Sequence, residues 1–129
     1  MEAPDERAII DANMRELARG LSENRAVFIA LGDENRQRIL AALLEHYGGL
    51  RAGEIARLVG LSRPAVSHHL KTLAEAGLVD HYSSGTMNFY HVCSSAHIWR
   101  EVAELAKRAA SLAAFAEARQ DKAACEIRK

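Results

Sequence analysis

Two cysteines, two prolines and an aromatic content of only 5% in 129 residues set the first limits on this chain. Cys93 and Cys125 stand far apart and form no CxxC pair, which argues against a disulfide framework and a cysteine-rich zinc site and makes reduced thiols the default. Charges interrupt every apolar run within a few residues. The start, MEAPDERAII, is acidic and lacks the basic then apolar pattern of a secretory signal. A cytoplasmic protein with no membrane partner is therefore expected. A glycine-rich phosphate loop, a nucleophile elbow and a His-x-x-x-His metal pair are also missing. Ser67, His68 and His69 are neighbours on one helical stretch and cannot converge as a triad. An enzyme is not expected, nor any cofactor or catalytic residue.

An excess of positive charge is missing too: 17 Lys and Arg balance 17 Asp and Glu. Binding to a polyanion is dominated by electrostatics, so such a chain binds one weakly unless its contacts are well placed or doubled by symmetry. The distribution favours the middle. Residues 1–50 carry six cations against nine acids, residues 51–92 four against three, and residues 93–129 seven against five. Hydrophobic residues make up 49% and charged residues 26%, the proportions of a globular protein of ordinary domain size.

Helical spacing dominates what is present. Ile9, Ile10, Met14 and Leu17 recur at helical intervals from Asp5 to Arg19, with Gly20 as the expected stop. Ser22 is then a candidate cap for a second helix burying Ala26, Phe28, Ile29 and Leu31. Asp33 suits the N-cap of a third, in which Ile39, Leu40, Leu43 and Leu44 form an apolar stripe until Gly48-Gly49. Ile55, Ala56 and Val59 line a short helix closing at Gly60, and Ser62 caps the next. There Pro64 is tolerated because first-turn N–H groups have no partner within the helix. Val66, Leu70 and Leu73 face inward along that helix until Gly77. Two helices joined by a turn of roughly three residues have helix-turn-helix geometry. The β-branched and aromatic residues flanking Ser84-Gly85 predict a hairpin. Ser94 or Ser95 can cap a long last helix, in which Ile98, Val102, Leu105, Ala109, Leu112 and Ala116 fall at alternating steps of four and three. That seam exceeds what so small a domain can cover, so a partner helix from a second subunit is expected.

From Leu31 to Val92 the sequence resembles the ArsR/SmtB family of bacterial winged-helix repressors. The likeness is carried by ALGDENRQRILAALL, by GEIARLVGLSRPAVSHHLKTLAEAGLV and by a hairpin ending NFYHV. It implies a mainly α fold with a small β-hairpin wing, read as one winged-helix domain over 1–129. Residues 1–32 would be N-terminal dimerisation helices, 33–93 the winged helix-turn-helix core, and 94–129 a C-terminal dimerisation helix and tail. It also implies a homodimeric repressor binding a palindromic operator in double-stranded DNA, with recognition helix 63–76 in the major groove and wing 79–93 near the backbone.

The residue pattern agrees on which side is available. With Val66, Leu70 and Leu73 inside, Arg63, Pro64, Ser67, His68 and Lys71 point outward. Ser67 and His68 can meet base edges, Arg63 a guanine or a phosphate, and Lys71 a phosphate, and the Ser62 hydroxyl with the first helical N–H groups adds an anion site. His69 suits half-buried packing as well as DNA contact. The wing contains no Lys or Arg near its tip, which leaves Ser83, Ser84, Thr86 and Asn88 to approach phosphate.

The resemblance also raises the question of a signal. Where relatives carry a Cys-x-Cys metal site, this chain has Arg51 and Gly53. The second familiar site, at the last helix, is half present as His97, with Lys107, Arg108 and Ala110 where its other half would lie. No metal site is expected. His91, Cys93, His97 and Glu101 form a local group of potential ligands whose plainer reading is a strand end and helix start, and Cys93 with Cys125 is a candidate redox pair across a dimer. The effector is left open. Two alternatives to a DNA reader stand beside it: a winged-helix interaction module, and a thiol- or metal-responsive sensor of the same family.

Overall fold

A computed structural model describes residues 5–92 and 97–128, with side chains described as far as residue 120. Six helices and one hairpin follow in the order α1 (Glu6–Glu23), α2 (Arg25–Leu31), α3 (Glu34–Glu45), α4 (Ala52–Val59), α5 (Arg63–Glu75), β1 (Val79–Ser84), β2 (Met87–Val92) and α6 (His97–Arg128). They group into two units, one of Met1–Asn24 with Trp99–Lys129 and the other of Arg25–Ile98.

In the first unit, Asp5 caps α1 by accepting a hydrogen bond from Arg7 N at 3.2 Å. Gly20 does not end this helix, which runs on to Glu23 and places Ser22 inside it. The reason is packing. A Cβ at Gly20 would stand inside the Leu105 side chain of α6, so the bare backbone admits the second helix. Asn13 meets the same helix by accepting a 2.7 Å hydrogen bond from Arg108. Ile10, Asn13 and Leu17 are half-buried and Gly20 is buried, whereas the expected Ile9 and Met14 are exposed.

The second unit holds the main core. Ile39, Leu43, Ile55, Val66, Leu70, Leu73 and Leu78 are its largest fully buried side chains. Each stabilises the fold by about 1.5–3 kcal/mol relative to an exposed position. Asp33 caps α3 as expected, accepting from Arg36 N at 3.0 Å, and this backbone bond lowers its carboxyl below the usual range. Two apolar expectations are corrected. Leu44 is 66% exposed, and α2 buries Val27 and Ala30 while Ile29 is 58% exposed.

The face of α2 is selected by α3. Arg36 donates to the carbonyls of Ala30 (2.9 Å) and Ile29 (3.0 Å), and Gln37 donates to Leu31 O at 2.6 Å. These side chains satisfy the carbonyls that a seven-residue helix leaves open at its end. Arg38 does the same for α4, donating to Val59 O at 2.7 Å.

The turn between α4 and α5 is Gly60, Leu61 and Ser62, with Gly60 at φ +71° and ψ +33° in the left-handed region. Only a residue without a Cβ takes that conformation at no cost, and it lets the chain turn sharply enough to start α5 against α4. Beyond α5, the hairpin pairs Val79 with Val92 through Ser84 with Met87, so its two-residue loop is Gly85-Thr86. A third, one-residue strand completes the sheet: Leu50 and Tyr90 exchange backbone bonds of 2.9 and 2.8 Å. The expected caps Ser94 and Ser95 lie outside the described residues. No helix among the described residues is long and apolar enough to cross a membrane.

Candidate nucleic-acid interface

The face of α5 is set by its burial. Val66, Leu70 and Leu73 are buried, and Arg63, Pro64, Ser67, His68 and Lys71 are exposed along the opposite side. Ser62 caps the helix, its hydroxyl accepting from Ala65 N at 3.2 Å, and Pro64 sits in the first turn. A rigid helix therefore presents one guanidinium, one ammonium, one hydroxyl and one imidazole to solvent. Donors and acceptors of these types read base edges and phosphates.

His69 is held apart from that set. It is half-buried, and Arg36 Nη1 lies 3.3 Å from its Nδ1. A guanidinium only donates, so Nδ1 is the acceptor of this contact. Arg36 thus joins the end of α2 to the back of α5. The packing reading of His69 accounts for this arrangement.

On the wing, Ser84, Thr86 and Asn88 are exposed around the loop. Asn88 Oδ1 accepts from Ser83 Oγ at 2.7 Å, which stiffens the tip and leaves the Asn88 amide N–H groups outward. Tyr82 stacks on Phe89 with ring centres 5.3 Å apart, and its hydroxyl donates to Gly48 O at 3.0 Å. These contacts fasten the hairpin to the segment before α4.

That segment supplies what the hairpin's own sequence lacks. Arg51, the residue before α4, reaches across so that its Nη1 lies 3.5 Å from Sδ of Met87, the first residue after the wing loop. Glu54 anchors the other side of the guanidinium: its Oε1 accepts from Arg51 N and from Arg51 Nε, both at 3.0 Å. The backbone bond first, then the side-chain bond, hold the Glu54 carboxyl below its usual range. Between Arg51 and α5 runs an open groove of about 480 Å³, lined by Arg51, Gly53, Glu54, Ala56, Arg57, Leu61 and Arg63. Arg51 and Arg57 were not among the expected interface residues. Their signal was available in the composition, because residues 51–92 contain only four cations and three of them line this groove.

The expected dimer seam on α6 divides in two. Leu105 is buried against Gly20, and Ile98 lies where any side chain at Gly77 would stand, so both have partners in their own chain. Val102, Ala109 and Leu112 are half-buried and Ala116 is exposed. Of the potential ligands near the start of α6, His91 Nδ1 donates to Val92 O at 3.1 Å, while His97 and Glu101 have partners of their own. Among the described residues no group of three or more His, Cys, Asp or Glu could hold a metal ion. Cys93 lies outside the described residues, as does the side chain of Cys125.

Comparison with known proteins places this arrangement. The family model for bacterial regulatory proteins of the arsR family matches residues 33–81, from the cap of α3 to the middle of β1. An uncharacterised HTH-type transcriptional regulator of Methanocaldococcus jannaschii is 38% identical over 66 residues, covering 51% of this chain and 73% of the relative. The chain belongs to the arsR family. The transcriptional repressor SdpR of Bacillus subtilis is 36% identical to this ArsR-family protein over 64 residues, which is 50% of the chain and 69% of SdpR. The fold of the family extends further than the sequence match. An ArsR-like transcriptional regulator from Rhodococcus sp. RHA1 superposes with a TM-score of 0.66 at 27% identity, covering 82% of this chain and 94% of that one. The protein is accordingly a winged-helix transcriptional regulator and not an enzyme.

Proposed function

We propose that this ArsR-family regulator is a repressor that binds a palindromic operator as a homodimer, one α5 per half-site in the major groove and one wing beside the adjacent backbone. Membership of the family makes it a DNA-binding transcriptional regulator. The observation that carries the finer reading is the polar outer face of α5. Its five exposed residues, Arg63, Pro64, Ser67, His68 and Lys71, lie opposite a fully buried Val66-Leu70-Leu73 stripe. In this reading Ser62, Arg63 and Lys71 hold phosphate, Ser67 and His68 meet base edges, and Ser84, Thr86 and Asn88 touch the backbone from the wing. Two copies multiply weak contacts, which suits a chain with no net charge. Half-sites about one helical turn apart, or slightly more, are then expected.

The test is fluorescence-anisotropy binding of reduced, chelator-treated protein to DNA from upstream of its own gene and to a scrambled duplex, at two salt concentrations. Selective binding that weakens steeply with salt is expected. Lys71→Ala and Arg63→Ala should lower affinity for both duplexes by the same factor, whereas His68→Ala should also change which duplex is preferred. Equal losses on both duplexes for all three variants would remove the base-reading role of His68. No selective binding by the parent protein would favour the interaction module.

A further inference from the structure

We propose that the groove between α4 and α5 is a clamp for one DNA-backbone phosphate, with Arg57 and Arg63 as its jaws and Arg51 linking it to the wing. The proposal rests on the DNA-binding reading above and extends it to residues outside the recognition helix. Its first support is charge. Arg51, Arg57 and Arg63 line the groove, and Glu54 is the one acid among its lining residues. That acid is engaged by Arg51, which leaves Arg57 and Arg63 without a hydrogen bond or ion pair to another side chain among the described residues. Two guanidiniums without a close side-chain partner on one open concave surface raise the local potential for an anion, and a planar fork of donors suits phosphate oxygens.

The second support is shape. Gly53 lies on the groove wall, and a Cβ built there would come within 3.7 Å of Arg63 Nε and 3.8 Å of its Cζ. The Arg63 side chain therefore leans back over the start of α4 as well as standing at the start of α5. Being exposed, it shares the solvent side with Arg57. A groove open to solvent admits a phosphodiester that remains attached to its strand on both sides, which an enclosed pocket would not.

The third support is continuity. Arg51 bridges from the groove to Met87 beside the wing loop, so a line of guanidiniums, the one at Arg51 paired with Glu54, joins the N-terminal end of the recognition helix to a wing that has no Lys or Arg of its own. With α5 in a major groove, the strand flanking that groove passes the start of α5, where phosphate contacts fix register without reading sequence.

The experiment uses the full chain and four proteins: the parent, Arg57→Ala, Arg57→Lys and Lys71→Ala. Arg57 is exposed on α4 and makes no hydrogen bond among the described residues, so its replacement leaves the fold intact. Binding to the upstream duplex and to the scrambled one is measured across a salt series. Arg57→Ala is expected to weaken both duplexes by the same factor of about tenfold and to make the slope of log affinity against log salt shallower, by up to about 0.9, the value for one whole phosphate, because Arg63 keeps its hold on it. Arg57→Lys should recover most of the slope and less of the affinity. An unchanged slope and affinity in Arg57→Ala, alongside a loss in Lys71→Ala, would overturn the clamp and leave the recognition helix standing. No salt-dependent binding by the parent would overturn both. A second arm follows the Arg57 Nε–H resonance of the free protein as inorganic phosphate replaces chloride at constant ionic strength. No selective shift at millimolar phosphate is expected, and a saturating shift there would make the groove a free-anion site and overturn its assignment to DNA.

Discussion

At the scale of single residues, two carboxylates tie pH to stability. Asp33 and Glu54 each accept a backbone N–H at a helix start, from Arg36 and Arg51, and both carboxyls are lowered below their ordinary values. A carboxyl with a lowered folded-state pKa contributes stability that is complete above its unfolded value near 4. That contribution is lost as pH falls through the folded value. Urea midpoints should therefore drop between pH 5 and pH 3, and the Asp33→Asn, Glu54→Gln double variant should show a smaller drop over the same interval. An equal drop in parent and variant would assign acid sensitivity to other groups. Arg36 illustrates why residue roles are harder to read than residue faces. Its position in GDENRQRIL places it in a first helical turn, yet its three side-chain partners lie on α2 and α5, as many as 33 positions away.

At the scale of elements, the left-handed turn at Gly60 is the most exposed point of failure. Gly60→Val places a β-branched side chain at φ +71° in open space. The cost is conformational, about 1–2 kcal/mol, with a fall of a few degrees in Tm by calorimetry. A variant with unchanged Tm would show that the turn has another conformation available. The elements themselves were legible where one face is apolar and the other is not. The α5 stripe of Val66, Leu70 and Leu73 and the cap at Ser62 emerged from spacing alone. The α2 segment RAVFIAL has six apolar residues out of seven, so periodicity offered no face, and hydrogen bonds from α3 selected Val27 and Ala30. Gly20 carried the stop signal of a C-cap, yet its role is close approach to Leu105, which depends on a residue 85 positions later. Leu50 makes a strand one residue long, too short for any alternating pattern to reveal. Distant pairing of this kind also hid the link from Arg51 to the wing, because only the folded sheet brings position 51 to position 87.

At the scale of the whole molecule, assembly is proposed to run through the last helix. Two of its seam residues are occupied within the chain, and the proposed homodimer rests on the remaining apolar positions from Val102 to Ala116. Replacing Val102 and Leu112 together by Lys should convert a dimer into a monomer in sedimentation velocity and lower operator affinity by at least tenfold, because each half-site then binds alone. A dimer that persists in that variant would move the interface elsewhere. The link from Arg51 to the wing loop has a wider consequence for how such regulators diversify. Hairpin and cation are encoded in separate stretches, so a graft of residues 79–92 into another scaffold transfers the shape of the wing and leaves its charge behind. Under the proposed clamp, selection acting on position 51 retunes grip on DNA without disturbing a single strand pair.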